Sequence, residues 1–466
     1  MNPATTFDAD LLRRYDKPGP RYTSYPAAPQ FHSRFGAAHL HAAARRSNTQ
    51  LIPRALSIYV HVPYCASPCF YCGCNRVITR DVSRGARYLE HLAREIELLA
   101  PLFERNREVV QLHFGGGTPN FLTPAQLGGI VHTLGRQFKF AAPAARDFSI
   151  ELDPRFIEPA QIAELAALGF NRASLGVQDL DPQVQHAINR VQSAAQTLDI
   201  IAACRANGFR SVNVDLIYGL PKQTLIGFAR TLDTILAARP DRLAVYGYAH
   251  LPKLFKAQRQ IESADLPGSD AKLELLQLAI AKLTAAGYLY IGMDHFALPE
   301  DELARAQANG TLHRNFMGYT THADSDLIGL GVSAISHIGN TFSQNPRDLL
   351  SWENALDAGR FPVWRGMCMD EDDELRGAVI QSLMCHGCID RREIETRFDL
   401  DFAGYFAAEL EQLAQLQADG LVTLDPTHIR ATPRGRLLVR VIAACFDRYL
   451  RSVAAPEHAP TYSRVV

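Results

Sequence analysis

The chain has almost no net charge: 48 Lys and Arg against 49 Asp and Glu leave −1 at pH 7. Without a basic field, neither a nucleic acid nor an anionic membrane surface is an expected partner. No uninterrupted apolar run reaches spanning length, and the start MNPATTFDADLLRRYD has neither a basic n-region nor an apolar h-region, so a cytoplasmic location is expected. A disulfide framework fits poorly as well. The nine cysteines are odd in number, and Cys204, Cys368, Cys385, Cys388 and Cys445 are scattered. Internal repeats, low-complexity linkers and heptad seams are absent, which leaves a monomer as the expectation. What remains is a chain of 466 residues, 47% hydrophobic, long enough for more than one domain and suited to small-molecule chemistry.

The apolar runs set the fold class. Strand-like segments at 56–62, 109–114, 148–152, 172–177, 211–217, 243–248 and 288–293 alternate with helical periodicity, as in Leu89, Leu92, Ile96 and Leu99. Six or seven consecutive βα units predict an α/β protein built on a partial (βα)6-type barrel over 51–345. Residues 1–50 read as an N-terminal arm whose KPGPRYTSYPAAP patch is extended rather than helical. Residues 346–466 read as a mostly helical, winged-helix-like C-terminal domain: helices at 372–384 and 402–418, then two short strands around Pro426 and a last helix.

Four cysteines crowd into the loop after the first predicted strand: HVPYCASPCFYCGC holds Cys65, Cys69, Cys72 and Cys74 as C-x3-C-x2-C-x-C. Thiolates this close bind a metal or cross-link, because like charges would otherwise repel and stay protonated. Structural zinc is the alternative reading, yet it usually gathers its ligands as two separated pairs, and no second pair lies nearby. The x3 and x2 gaps suit an iron–sulfur cubane held by three thiolates with a fourth iron open to a small ligand. That loop resembles the cluster loop of the radical S-adenosylmethionine (SAM) enzymes, in which SAM occupies the open iron. Cys385 and Cys388, C-x2-C within MCHGC, have no partner pair and are read as packing.

Other polar motifs fall at strand ends, the edge where barrels place their sites. LHFGGGTPNFL ends the second strand with three glycines and, lacking a following Gly-Lys-Ser/Thr, is not a phosphate loop. Glu151, Gln178, Arg190 and Asp215 are each ordinary as single polar residues. Together they offer acceptors for ribose hydroxyls and an ammonium, and a guanidinium for a carboxylate. His61, His113, His250 and His295 lie near the same edge and are read as packed, hydrogen-bonded residues without a catalytic role.

The segments CASPCFYCGCN, LHFGGGTP, SIELDPR, NRASLGVQ, VDLIYGLPKQT, YAHLP, IGMDHFA, LHRNF and the closing SRVV together resemble the oxygen-independent coproporphyrinogen III oxidases over nearly the whole chain. The related haem chaperones keep the first three cysteines but usually replace the one at Cys74. The resemblance implies a radical SAM oxidoreductase that decarboxylates two propionates of coproporphyrinogen III to vinyls, fed by a flavodoxin-type reductant. It implies a 4Fe-4S cluster on Cys65, Cys69 and Cys72, with Cys74 catalytic and not a ligand. Tyr59, Gly115, Gly116, Thr118, Gln178, Arg190, Asp215, Ala249 and Ile335 would surround the SAM on the cluster. Glu151, Phe316 and position 317 would line a second SAM site, where this chain reads HRNFMGYTT against the family's HRNFQGYTT. Met317 thus replaces an amide by a thioether with no donor. Arg21 and Arg314 are the residues expected to meet substrate carboxylates. Two other functions share these motifs: a haem-binding trafficking protein, and a related radical SAM methyltransferase.

Overall fold

The computed structural model describes residues 5–323, 325–451 and 462–464, so the last two residues of the SRVV motif lie outside the described residues. These residues form two compact units, each discontinuous in sequence: Phe31–Lys282 with Asp324–Cys368, and Met1–Gln30 with Leu283–Ala323 and Met369–Val466.

The first unit is organised by one sheet. Its strands are β1 (Ala55–Val62), β2 (Glu108–Gly116), β3 (Asp147–Leu152), β4 (Arg172–Gln178), β5 (Ser211–Tyr218), β6 (Arg242–Gly247), β7 (Ser325–Leu330), β8 (Ile335–Ile338), β9 (Thr341–Gln344) and β10 (Arg365–Cys368). The spatial order is β6-β5-β4-β3-β2-β1-β7-β8-β9-β10, parallel as far as β7 and antiparallel beyond it. The six expected βα strands are therefore present, in the order of a partial barrel. Helices α1 (Ser83–Leu99), α2 (Pro124–Gln137), α3 (Pro159–Ala167), α4 (Ala194–Ala206) and α5 (Leu225–Ala238) fall between successive strands. Local signals start them: Thr123 and Gln126 form a capping box on α2, and Ser193 and Thr224 accept from the first-turn amides of α4 and α5.

Alternation along the strands divides the side chains into two sets. One set, Ile58, Val60, Leu112, Phe114, Phe148, Ile150, Leu175, Val212 and Val214, is fully buried. The other is polar: Tyr59, His113, Ser149, Glu151, Ser174, Asn213 and Asp215. Register lines these up across strands, Tyr59 beside His113 beside Ser149, and Glu151 beside Ser174 beside Asn213. An interior lined this way is a binding surface, unlike the apolar packing that fills a closed barrel.

The second unit contains helix α6 (Glu371–His386), opened by an Asp370–Asp373 capping box and closed by Gly387 in the left-handed region. A three-stranded antiparallel sheet of Cys388–Asp390, His428–Ala431 and Val422–Leu424 accompanies it and gives the expected winged-helix-like shape. The arm patch is irregular, and Tyr22 donates to Asp447 at 3.0 Å.

Two expectations need correction. The run 288–293 forms the expected strand, Leu289–Gly292, but not a parallel one: it folds back antiparallel on His295–Ala297, because Gly292 and Met293 adopt positive φ and turn the chain. The seventh parallel strand is β7. The helix expected over 402–418 is interrupted at Phe406, giving Phe402–Tyr405 and Ala407–Ala418.

Candidate active site

The cysteine loop leaves β1 and doubles back on itself. Tyr64 and Cys65 pair with Val77 and Ile78, and the Val77 and Thr79 amides donate to the carbonyls of Pro63 (2.7 Å) and Cys65 (3.0 Å). Arg76 holds the intervening turn by donating to the carbonyls of Cys72 (3.1 Å) and Cys69 (3.2 Å). All four thiols are free; Cys65 and Cys69 are buried, Cys72 is half-buried and Cys74 exposed.

The three sulfurs expected to bind iron all accept hydrogen bonds. The Thr118 hydroxyl donates to Cys65 Sγ (3.2 Å), the Cys74 amide to Cys72 Sγ (3.4 Å), and Arg155 and Arg190 each reach Cys69 Sγ at 3.5 Å. Burial pushes the Cys65 thiol up to about 11, whereas the Cys74 thiol and then Arg76 draw Cys72 down to about 6 against burial. Donors aimed at sulfur stabilise bound thiolates, so this set fits an iron–sulfur cluster. Among the described residues no three His, Cys, Asp or Glu side chains form a group able to hold one metal ion.

Beside the loop stands a clamp. Arg190, 6% exposed, donates to Asp153 (3.0 Å) and to the Gly176 carbonyl, while Arg155 Nη2 donates to Asp153 at 2.7 Å. Burial of Asp153 is outweighed by Arg190 and Arg155, which hold its carboxyl below the usual range. Arg190 Nε is buried and unpartnered, the place for an acceptor such as the carboxylate of SAM. Gln178 is buried with φ of +70°, and a methyl at Gly176 would lie 3.0 Å from both its amide and Arg190.

The glycine run forms the other wall. The Gly116 amide donates to Glu151 Oε2 at 3.1 Å, and His113 lies 3.4 Å from Oε1 while also reaching the Ser149 hydroxyl at 2.6 Å. Burial opposes ionisation of Glu151, but His113 and the Gly116 amide outweigh it and keep the carboxyl below its ordinary range. Even so, 43% of the side chain is accessible, as expected of a carboxylate facing an open interior. Asp215 is pushed up to about 6 by burial and by Glu151, against hydrogen bonds from Ser174 (3.0 Å) and Asn213 (2.8 Å). Tyr59 stacks on His113 with ring centroids 5.8 Å apart and bonds His61 at 3.1 Å. Gln258 donates to the carbonyls of Tyr71 (2.8 Å) and Ala249 (3.2 Å), tying the cysteine loop to the Ala249 segment. Ile335 opens β8, its backbone against Gly329 of β7.

The barrel unit thus brings together Tyr59, the cysteines, the glycine run, Thr118, Glu151, Gln178, Arg190 and Asp215. Sequence reasoning passed over Asp153, Arg155, Arg76, Ser174 and Asn213, and it gave His61 and His113 only a packing role. Strand parity is the signal that finds several of them, since 149, 151 and 153 share one side, as do 174 and 176, and 213 and 215. The remaining expected residues belong to the other unit. Phe316 and Met317 form the tip of a hairpin between His313–Asn315 and Gly318–Thr320, where the Met317 amide donates to Asn315 Oδ1 at 2.8 Å. Arg314 is in that hairpin, and Arg21 pairs with Asp294.

Comparison with known proteins agrees with this geometry. The model of the radical SAM superfamily matches residues 59–235, and that of the HemN C-terminal domain matches 369–438. The oxygen-independent coproporphyrinogen III oxidase of Pseudomonas aeruginosa is 51% identical over 99% of this chain and 99% of its own length. Its Escherichia coli counterpart is 48% identical over 99% and 98%. The solved structure of the coproporphyrinogen III oxidase HemN from Escherichia coli, a radical SAM enzyme, superposes with a TM-score of 0.91 at 47% identity, covering 96% of this chain and 99% of that one.

Proposed function

We propose, since the chain belongs to the family of oxygen-independent coproporphyrinogen III oxidases within the radical SAM superfamily, that it converts two propionates of coproporphyrinogen III to vinyl groups, giving protoporphyrinogen IX. It is an oxidoreductase of porphyrin biosynthesis whose cofactors are a 4Fe-4S cluster and SAM. The observation that carries the reading is the loop of free thiols, each prospective ligand sulfur accepting a hydrogen bond, set beside the Arg190–Asp153–Arg155 clamp and the glycine run.

Held by Cys65, Cys69 and Cys72, a 4Fe-4S cluster would supply the electron for reductive cleavage of SAM, and SAM the radical that would take a hydrogen atom from the propionate β-carbon, with carbon dioxide and one further electron as the remaining products. The chain's own residues do the positioning. Cys65, Cys69 and Cys72 hold the cluster. Arg190, with its free Nε, holds the SAM carboxylate, and the bare backbone of Gly115 and Gly116 lets the ligand approach β2 closely. Glu151 and Asp215 accept from ammonium or ribose hydroxyl groups. Tyr59, Thr118, Gln178, Ala249 and Ile335 complete the surroundings of that SAM. Cys74, whose thiol is held above its ordinary range by the hydrogen bond it shares with Cys72, is the catalytic thiol rather than a ligand. Phe316 and Met317 serve a second SAM, and Arg21 and Arg314 serve substrate carboxylates.

Nine free cysteines suit a reducing cytoplasm, and a monomer reduced by a flavodoxin-type donor completes the proposal. No helix among the described residues is long and apolar enough to cross a membrane. The test is anaerobic turnover of the reconstituted protein with SAM, a low-potential reductant, an electron acceptor and coproporphyrinogen III, read by mass spectrometry. Protoporphyrinogen with 5′-deoxyadenosine supports the reading. Methylated product, or haem binding without decarboxylation, refutes it.

A further inference from the structure

Four motifs that the cluster chemistry leaves unused, GPRYTSYP, IGMDHFA, LHRNF and PRGRLLVRV, lie together in the second unit and bring a set of arginines with them. Arg314 is 5% exposed, stacks over the Tyr319 ring at 4.7 Å, and has Nε and Nη1 buried without partners. Arg436, 7% exposed, donates from Nη2 to the Tyr290 carbonyl at 3.2 Å and also leaves Nε unpartnered. Arg440, 5% exposed, bonds carbonyls only: Pro20 and Arg464 at 3.1 Å, Ser463 at 3.4 Å, and Gly19. Arg21 is paired with Asp294.

The groups are close enough to act on one another. Burial, then Arg21 and also Arg314, pull Arg440 down to about 10, with Asp294 and Tyr22 opposing. Tyr319 feels Arg314, Asp294 and Arg436 together, and its hydroxyl donates to the Met384 carbonyl at 2.9 Å. Of these guanidiniums only Arg21 is paired with Asp294, and Arg440 alone among the others acts on that carboxylate. Buried arginine is rarely left in this state, because carbonyls satisfy its hydrogen bonds without neutralising its charge. Unpartnered nitrogens on two adjacent arginines mark where an anion belongs.

We propose that Arg314, Arg436 and Arg440 form a carboxylate subsite that takes a propionate side chain of the tetrapyrrole, with Arg314 and Arg436 donating through the nitrogens that lack partners. This rests on the reading of coproporphyrinogen III as substrate. Arg21, balanced by Asp294, contributes field rather than a free hydrogen bond.

The test compares the reconstituted full chain with Arg314→Met, Arg314→Lys and Arg436→Gln. Coproporphyrin III and its tetramethyl ester are the fluorescent probes, and apparent KM values are measured for coproporphyrinogen III and SAM. The wild type should prefer the free acid over the ester. Arg314→Met should bind the acid about tenfold to a hundredfold more weakly, the effect of one charge-assisted hydrogen bond, and lose that preference. Arg314→Lys should regain part of it, and Arg436→Gln should move the same way. Because Arg314 lacks a counter-charge of its own, Arg314→Met should melt no lower than the wild type. A purely structural arginine would instead lower the melting temperature and leave the preference intact, which overturns the proposal. A rise in KM for SAM alone would assign the subsite to the SAM carboxylate and also overturn it. A wild-type chain that binds the acid selectively but forms no vinyl product overturns the functional reading, while the comparison of variants still decides the subsite.

Discussion

Three adjacent glycines in the β2 turn should respond to the same substitution in three ways. A methyl at Gly115 would lie 2.8 to 3.1 Å from three atoms of the Glu151 carboxylate. That carboxylate ends a flexible side chain, so the fold yields at the low end of the overpacking cost, about 1 kcal/mol. Swinging it away breaks the bond from the Gly116 amide, 3.1 Å, and the approach of His113, 3.4 Å. With Glu151 displaced, its proposed charge-assisted bond to SAM, about 1.5–3 kcal/mol, is lost, so Gly115→Ala should bind SAM about 10- to 150-fold more weakly. Gly116 has φ of +111° and a methyl there meets the His61 ring at 2.6 Å. Gly116→Ala should therefore lose about 1–3 kcal/mol of stability through backbone strain as well as SAM binding. At Gly117 the obstacle is backbone, the Pro63 carbonyl at 2.7 Å and the Tyr64 oxygen at 2.9 Å. Those atoms directly precede Cys65, so Gly117→Ala should lose cluster iron first. Iron content, cluster absorbance, equilibrium dialysis of SAM and thermal melting separate the cases. A Gly115→Ala protein that binds SAM normally, or a Gly117→Ala protein with full iron, would refute the reasoning.

Cys65→Ser, Cys69→Ser or Cys72→Ser should abolish the cluster, whereas Cys74→Ser should keep it and lose turnover; cluster loss in Cys74→Ser would remove Cys74 from its catalytic role. Met317→Gln should tighten SAM binding by about 1–3 kcal/mol or raise turnover, because it restores an amide donor to the hairpin tip; unchanged SAM stoichiometry and rate would show that position 317 is unimportant. Glu95, fully buried, accepts from Gly331, Asn345 and Trp352, and burial raises it from 4.5 to about 7. A carboxyl raised in the folded state binds more protons folded than unfolded, so its contribution is complete below about pH 4.5 and lost as pH climbs through about 7. Urea unfolding free energies of the apoprotein should shift toward Glu95→Gln over wild type by about 2.5 kcal/mol between pH 5 and pH 8; a pH-independent difference would contradict it.

The sequence-level reading of the barrel rests on period: six runs bounded by turn residues and separated by helical patterns became β1 to β6. β7 escaped because a hairpin, not a helix, precedes it, so the βα rhythm offered no cue. The run 288–293 does give a strand, Leu289–Gly292, but only the backbone at Gly292 and Met293 shows why it turns back into an antiparallel pair. In the site, the cysteine spacing was legible because its ligands are local. The donors to Cys69 were not, since Arg155 and Arg190 reach it from 86 and 121 positions away along the chain. Arg436 and Arg440 sat in a helical stretch where basic residues usually face solvent; buried, Arg440 donates to arm carbonyls and Arg436 to the carbonyl of Tyr290.

The most direct test of the account follows one hydrogen atom. Coproporphyrinogen III carrying deuterium at the propionate β-carbons, turned over anaerobically by the reconstituted protein, should yield 5′-deoxyadenosine that has gained one deuterium for each vinyl group formed. Vinyl product accompanied by unlabelled 5′-deoxyadenosine, or SAM cleavage with no vinyl product, would contradict hydrogen abstraction from the propionate in this barrel.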